Sequence, residues 1–241
     1  MTTDRPLPAS AAAPPRALPR IVLATNNAHK VDELRTMFKG VANVIALSEA
    51  LPPGTQIVEP DETGATFEAN AAIKALAYAK LTGLACLADD SGLEVDALAG
   101  KPGVISSHYC TNGEPTTLDR ADRDEANNVR LLGELLGVPT NQRTARFVCI
   151  MALAVPPAPA GDARVVATAR GSFEGRIGNE SDVPRGTNGF GYDPLFLVAP
   201  DFVRTSAELS PPEKNRLSHR AAAAKDMGRE IDRLANALAK S

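Results

Sequence analysis

Two long β-type runs, "TARFVCIMALAV" (144–155) and "RVVATARGSFEG" (164–175), are joined by a Pro- and Gly-containing loop. They predict an antiparallel hairpin. Upstream the pattern alternates strand and helix. "RIVLAT" (20–25) reads as a buried strand, followed by a helix capped at Asn26 or Asn27 with Val31, Leu34 and Phe38 on one face. Residues 52–65 read as a loop. Thr66 caps a helix with Ile73, Leu76, Ala77 and Leu81 as its apolar stripe and Gly83 as its stop. "LACLA" (84–88) reads as a strand ending at two aspartates, "LEVDAL" (93–98) as another, and 100–104 as a turn. Residues 119–136 read as a helix through Val129, Leu132 and Leu136, and 193–198 as a further strand. "SPPE" (210–213) reads as a capping box opening a helix that runs to about Leu238. Alternation followed by a hairpin predicts an α/β fold with a mixed sheet in two lobes.

No repeat or linker interrupts residues 20–241, so a single domain is expected there, and 44% hydrophobic content can fill its core. Residues 1–19 are rich in Pro and Ala and are expected to form a disordered tail without a signal-peptide core. The formal charge of −3 argues against a nucleic-acid polymer as partner. No apolar run is long enough to span a membrane. Three cysteines, Cys86, Cys110 and Cys149, are widely spaced in apolar surroundings, as reduced thiols of a cytoplasmic protein would be.

The chemistry-bearing stretches are short. "TNNAHK" (25–30) lies where a strand enters a helix, an end that presents free N–H groups to a phosphate, with Lys30 adding a charge. It is neither a P-loop nor a dinucleotide fingerprint. "PDETG" (60–64) is acidic and matters only if it lies near the aspartates of "DDSG" (89–92), where carboxylates could hold Mg²⁺. "GTNGFGYDP" (186–194) interleaves three glycines with Phe190 and Tyr192, a backbone able to approach a ligand beside a ring able to stack on a base. Lys214 and His219 are five residues apart, about 140° around a continuous helix. For both to reach one ligand the helix must break, with Ser218 capping the new segment.

In this order, "ATNNAHK", "TGATFEANAAIKA", "ADDSGLEVDALAGKPG", "GFGYDPLF" and "ELSPPEKNRLSHR" span residues 21–224. Together they resemble the noncanonical purine nucleoside triphosphate pyrophosphatases, the inosine/xanthosine triphosphate pyrophosphatases. The resemblance implies hydrolysis of ITP, dITP or XTP to the monophosphate and pyrophosphate, with Mg²⁺, by a homodimer. It implies an elongated mixed central sheet flanked by helices, with two lobes around a nucleotide-binding cleft. It assigns Asp90 as the catalytic, metal-linked carboxylate and Asp61 as the second metal ligand, with Glu62 as a possible substitute. Substrate contacts fall on Thr25, Asn26, Asn27, Ala28, His29, Lys30, Ser91, Phe190, Gly191, Tyr192, Asp193, Lys214, His219 and Arg220. The residues alone do not distinguish Asp89 from Asp90; the resemblance selects Asp90.

Three positions depart from the family pattern. Asn26 stands where Gly is usual, Asp61 where Glu is common, and Ala69 where Glu would complete a Thr66 capping box. Two other readings compete: a Maf-type nucleotide pyrophosphatase, for which "SHR" and "GFGYD" have no obvious counterpart, and a non-enzymatic nucleotide-binding module. Pyrophosphate release separates the module from an enzyme.

Overall fold

The computed structural model describes residues 18–25, 28–157 and 161–238. Asn26, Asn27 and nearly all of the predicted 1–19 tail lie outside them, as do the side chains of Ala28 and His29. The chain order is β1 (Arg20–Leu23), α1 (Ala28–Met37), β2 (Asn43–Ala46), α2 (Leu47–Ala50), α3 (Phe67–Thr82) and β3 (Ala85–Val95), then α4 (Arg120–Glu134), β4 (Thr144–Val155), β5 (Arg164–Ile177), β6 (Phe196–Val198), α5 (Pro211–Leu217) and α6 (His219–Leu238). Short 3₁₀ turns occupy Asp96–Leu98 and Gly103–Thr111.

The strands form one mixed sheet in the order β2-β1-β3-β4-β5-β6. β1 runs parallel to β2 and β3, whereas β3 to β6 are antiparallel. The predicted hairpin is β4–β5. β4 is buried on both faces along most of its length, which explains its unbroken apolar run. β5 alternates because one of its faces is left uncovered.

Helices α1 and α6 cover one face of the sheet, where Leu34, Phe38, Met227 and Ile231 pack on Leu87 and Met151. α3 covers the other, where Phe67, Ala71, Ala75, Tyr78 and Ala79 pack on Cys86, Ala88 and Ile150. A separate core gathers Leu93, Tyr109, Leu131, Leu135, Phe173, Tyr192 and Phe196 at the far end of the long strands. These are the two lobes, and the cleft lies between them.

Several local expectations need correction. The aspartates do not end a strand: β3 is continuous through "DDSG", and Asp89 to Val95 pair with Met151 to Ala145 of β4. Residues 96–98 are a 3₁₀ turn rather than strand, and 193–195 form another before β6. The α3 stripe is out of phase: Leu81 is exposed, and the small residues Ala71, Ala75 and Ala79 face the sheet because they allow close approach. In α4 the buried residues are Asn127 and Leu131, with Leu135 buried at its C-cap, while Val129 and, just beyond the helix, Leu136 are exposed. Ser210 makes no cap hydrogen bond, and Glu213 pairs instead with Arg204. Thr66 does cap α3 by accepting from the Ala69 amide, and Gly83 ends it in the left-handed conformation.

α6 sits close enough to β5 that a Cβ at Gly171 would lie 2.1 Å from the His219 carbonyl and 2.4 Å from the Ala223 amide. Those are backbone atoms and cannot swing aside. Gly171→Ala is therefore expected to cost about 1–3 kcal/mol through overpacking and to lower the thermal midpoint by several degrees. An unchanged midpoint would contradict the close approach of the helix start to the sheet.

Candidate active site

Successive residues of a strand point to opposite faces, so the two aspartates of β3 serve different surroundings. Asp89 lies on the α1/α6 side. Lys30 Nζ, from α1, is 3.2 Å from both of its oxygens. Arg220, from the first turn of α6, donates to Oδ2 from Nε at 3.4 Å and Nη2 at 3.3 Å. Burial would raise the Asp89 pKa, but Lys30, Arg220 and Lys74 outweigh it and hold the carboxyl well below the usual range. Arg220 is itself buried, and its Nη1 lies 3.5 Å from Glu33 Oε2.

Asp90 lies on the α3 side. Lys74 Nζ is 3.4 Å from Asp90 Oδ1 and 3.1 Å from Glu62 Oε2, so one ammonium bridges the two carboxylates. The other Asp90 oxygen, Oδ2, is buried without a hydrogen-bond partner. Burial pushes the Asp90 pKa up and the Glu62 charge adds to the rise, against the pull of Lys74 and of the Asn70 side chain. Lys74 is held above its usual range: burial opposes its charge, but Asp90, Glu62 and Asp89 prevail. A buried orphan oxygen and a cation held between two acids mark a place where a further positive charge can be accommodated. Among the described residues no three His, Cys, Asp or Glu side chains form a ready metal cage. Two carboxylates suffice for Mg²⁺ when substrate oxygens and waters complete its shell.

Two cavities flank this part of β3: Asp89 borders one and Ser91 the other. The smaller, about 180 Å³, is lined by Thr25, Lys30, Glu59, Glu62, Lys74 and Asp89 among others. The larger, about 510 Å³, runs between the lobes past Ser91, Phe190, Lys214 and His219. It falls in the size range of small-molecule sites. Arg220 borders the larger cavity and binds Asp89 of the smaller, so one ion pair joins them.

The loop after β5 holds its own geometry. Asp193 is buried; its Oδ1 accepts from Ser206 Oγ at 2.7 Å, and its Oδ2 accepts from the Phe190 amide at 2.8 Å and pairs with Lys214. A Cβ at Gly189 would fall 2.1 Å from that carboxylate, and Gly189 has φ +83°, so only glycine suits the position. Phe190 is exposed at 56%, with the Arg120 guanidinium 4.4 Å from its centroid. Tyr192 is a core residue whose hydroxyl donates to the Ser106 carbonyl at 2.7 Å.

The helix breaks where simultaneous reach required it. α5 ends at Leu217, α6 starts at His219, and Ser218 Oγ between them accepts from the Ala221 amide at 3.1 Å. The His219 ring stacks on Phe147 at 5.4 Å, and its Nδ1 is buried without a partner. Burial, with Arg220 and Lys214 nearby, lowers its pKa to about 3, so the ring is neutral at physiological pH.

The structure thus gathers Thr25, Lys30, Ser91, Asp90, Phe190, Gly191, Tyr192, Asp193, Lys214, His219 and Arg220 around the two cavities or, for Asp90, beside Lys74 of the smaller one. It does not bring Asp61 there. Asp61 is exposed, and Glu62 is the acid that shares a cation with Asp90. The Ala28 and His29 backbones open α1. Lys74 and Glu33 were not foreseen. The available signal for Lys74 was a single lysine within the apolar, Ala-rich stretch "NAAIKALAY".

The chain is similar to known proteins along most of its length. The Ham1 family pattern matches residues 21–230. The dITP/XTP pyrophosphatase of Nitratidesulfovibrio vulgaris is 48% identical over 203 residues, covering 84% of this chain and 91% of that one. That of Desulforamulus reducens is 46% identical, covering 89% and 96%. Among solved structures, a HAM1 protein from Coxiella burnetii superposes with a TM-score of 0.73 at 37% identity, covering 90% of this chain and all of the other. The Staphylococcus aureus Ham1 protein gives 0.69 at 38%, covering 88% and 98%.

The neutral His219 has a consequence for pH. Its folded pKa of about 3 lies below the ordinary 6.5, so between those values the unfolded chain binds the additional proton. Stability from this group is complete above pH 6.5 and is lost as pH falls towards 3. Denaturant titrations should show that His219→Gln, which cannot charge, loses less stability than the parent between pH 7 and 5. Parallel losses in the two proteins would contradict a buried neutral ring.

Proposed function

Because this chain belongs to the Ham1 family, we propose that it hydrolyses noncanonical purine nucleoside triphosphates (ITP, dITP and XTP) to the monophosphate and pyrophosphate, clearing them from the nucleotide pool. The observation that carries this reading is the pair Asp90 and Glu62, bridged by Lys74 at a small cavity that also holds Lys30, with a base-sized cleft linked to that cavity through the Asp89–Arg220 ion pair. Lys30 and the N-terminus of α1 suit the anionic chain of a triphosphate. Lys74 supplies a second ammonium beside the scissile region. Phe190 offers a ring face to the purine, and Lys214 stands under the same loop through Asp193.

Asp90 is the catalytic carboxylate of this account. Its raised pKa and unpartnered Oδ2 suit a group that orients a water and accepts its proton. Asp89, tied to two cations, has no oxygen to spare for that work. Asp90 and Glu62 are the residues that would hold Mg²⁺, which when bound neutralises phosphate charge. Lys74, which lines the same small cavity, would offer its ammonium to phosphate oxygens beside such an ion.

Base choice rests on donors. Hypoxanthine and xanthine carry a 6-oxo acceptor where adenine carries a 6-amino donor. Arg220 has only donors to offer, and a neutral His219 can donate from one ring nitrogen. A 6-amino group would leave a buried donor facing a donor, a mismatch that such sites reject strongly. The protein acts in this account as a homodimer in the cytoplasm. The three cysteines are free, and no helix among the described residues is long and apolar enough to cross a membrane.

A nucleotide panel with Mg²⁺ tests the reading. ITP, dITP and XTP should each release pyrophosphate, with kcat/KM about 100-fold or more above ATP. Release of orthophosphate, or equal turnover of ATP, would overturn it.

A further inference from the structure

The loop carrying Phe190 is rich in glycine, and Gly186, Gly189 and Gly191 all have positive φ. Such a segment has much conformational freedom to lose, and something must hold it if Phe190 is to meet a base in a fixed place. The holding groups lie on α4, outside every stretch that the sequence motifs mark. Arg120, Asp124 and Asn128 follow one another at four-residue intervals and so share one face of the helix. Asp124 Oδ2 accepts from the Gly191 amide at 2.9 Å, and Asn128 Nδ2 donates to the Gly191 carbonyl at 3.0 Å. Both backbone groups of one glycine are therefore taken by side chains one helical turn apart, as a neighbouring strand would take them. Arg120 lies over the Phe190 ring at 4.4 Å. Asn128 Oδ1 is buried without a partner, a cost the site bears while its amide is used for this bond. The same helix face borders the large cavity through Arg120 and Asp124.

We propose that Asp124 and Asn128 of α4 are positioning residues for the purine: they clamp the Gly191 peptide and thereby fix the Phe190 ring against which the base stacks. The inference rests on the nucleotide reading given above and extends it to a helix of the second lobe. The clamp acts on the base and not on the phosphates, which the nucleotide reading assigns to Lys30 and Lys74 of the other cavity.

The test compares affinities for IMP, which carries the base, and for pyrophosphate, which does not, by titration calorimetry on the full chain. Asp124→Ala is expected to weaken IMP about tenfold or more, the loss of a hydrogen bond to a charged group, while pyrophosphate affinity changes less than about twofold. KM for ITP should rise with IMP's Kd while kcat at saturation holds. Asp124→Asn, whose amide oxygen still accepts from Gly191, should recover most of the affinity, and Asn128→Ala should also weaken IMP selectively, which keeps the test decisive if Asp124→Ala folds poorly. Parallel loss of IMP and pyrophosphate affinity, or unchanged IMP affinity in both alanine variants, would overturn the clamp. A parent protein that binds pyrophosphate but not IMP would overturn the base-site reading itself, independently of any variant.

Discussion

Adjacent carboxylates can both stay ionised inside a protein only if each has its own cation, and the two-residue alternation of β3 is what supplies that separation. Asp89 faces α1 and α6 and meets Lys30 and Arg220. Asp90 faces α3 and meets Lys74. The remaining architecture serves this split. β3 needs a partner on each side to be buried, with β1 on one side and β4 on the other. Each sheet face needs its own helical layer, and each layer brings the cation its aspartate requires.

The same split divides the labour of the site. Asp89 is bound up in ion pairs that fix two side chains from different helices, one bordering each cavity. Removing one member of such a buried cluster leaves uncompensated charge and is strongly destabilising. Asp90 keeps an oxygen unused and a pKa raised by burial. A structural acid and a reactive acid thus stand one residue apart in sequence and on opposite sides of the sheet. Asp193 repeats the structural role in the second lobe, where one buried carboxylate gathers Ser206, the Phe190 amide and Lys214.

Much of this was legible in the chain. The apolar run of β4 and the alternation of β5 identified the hairpin, because burial on two faces and on one face leave different patterns. The separation of Lys214 and His219 called for a helix break, and Ser218 provides it. Other features were hidden for physical reasons. The charges of "DDSG" looked like a strand end, yet ladder pairing with β4 carries the strand through them. In α3 the large apolar residues suggested the buried stripe, but close packing selected the alanines. Lys74 is indistinguishable in sequence from a solvated lysine until Glu62 and Asp90 are seen on either side. The Asp124 and Asn128 contacts are 67 and 63 residues distant in sequence from the glycine they hold, and no local pattern announces them.

The two aspartates differ in kind, and that difference is read from ITP turnover at saturating nucleotide and Mg²⁺ by Asp90→Asn set beside Asp89→Asn. Asp90→Asn should be slower than Asp89→Asn by about 100-fold or more, the usual worth of a general base, while still binding IMP. Equal rates, or a faster Asp90→Asn variant, would contradict it.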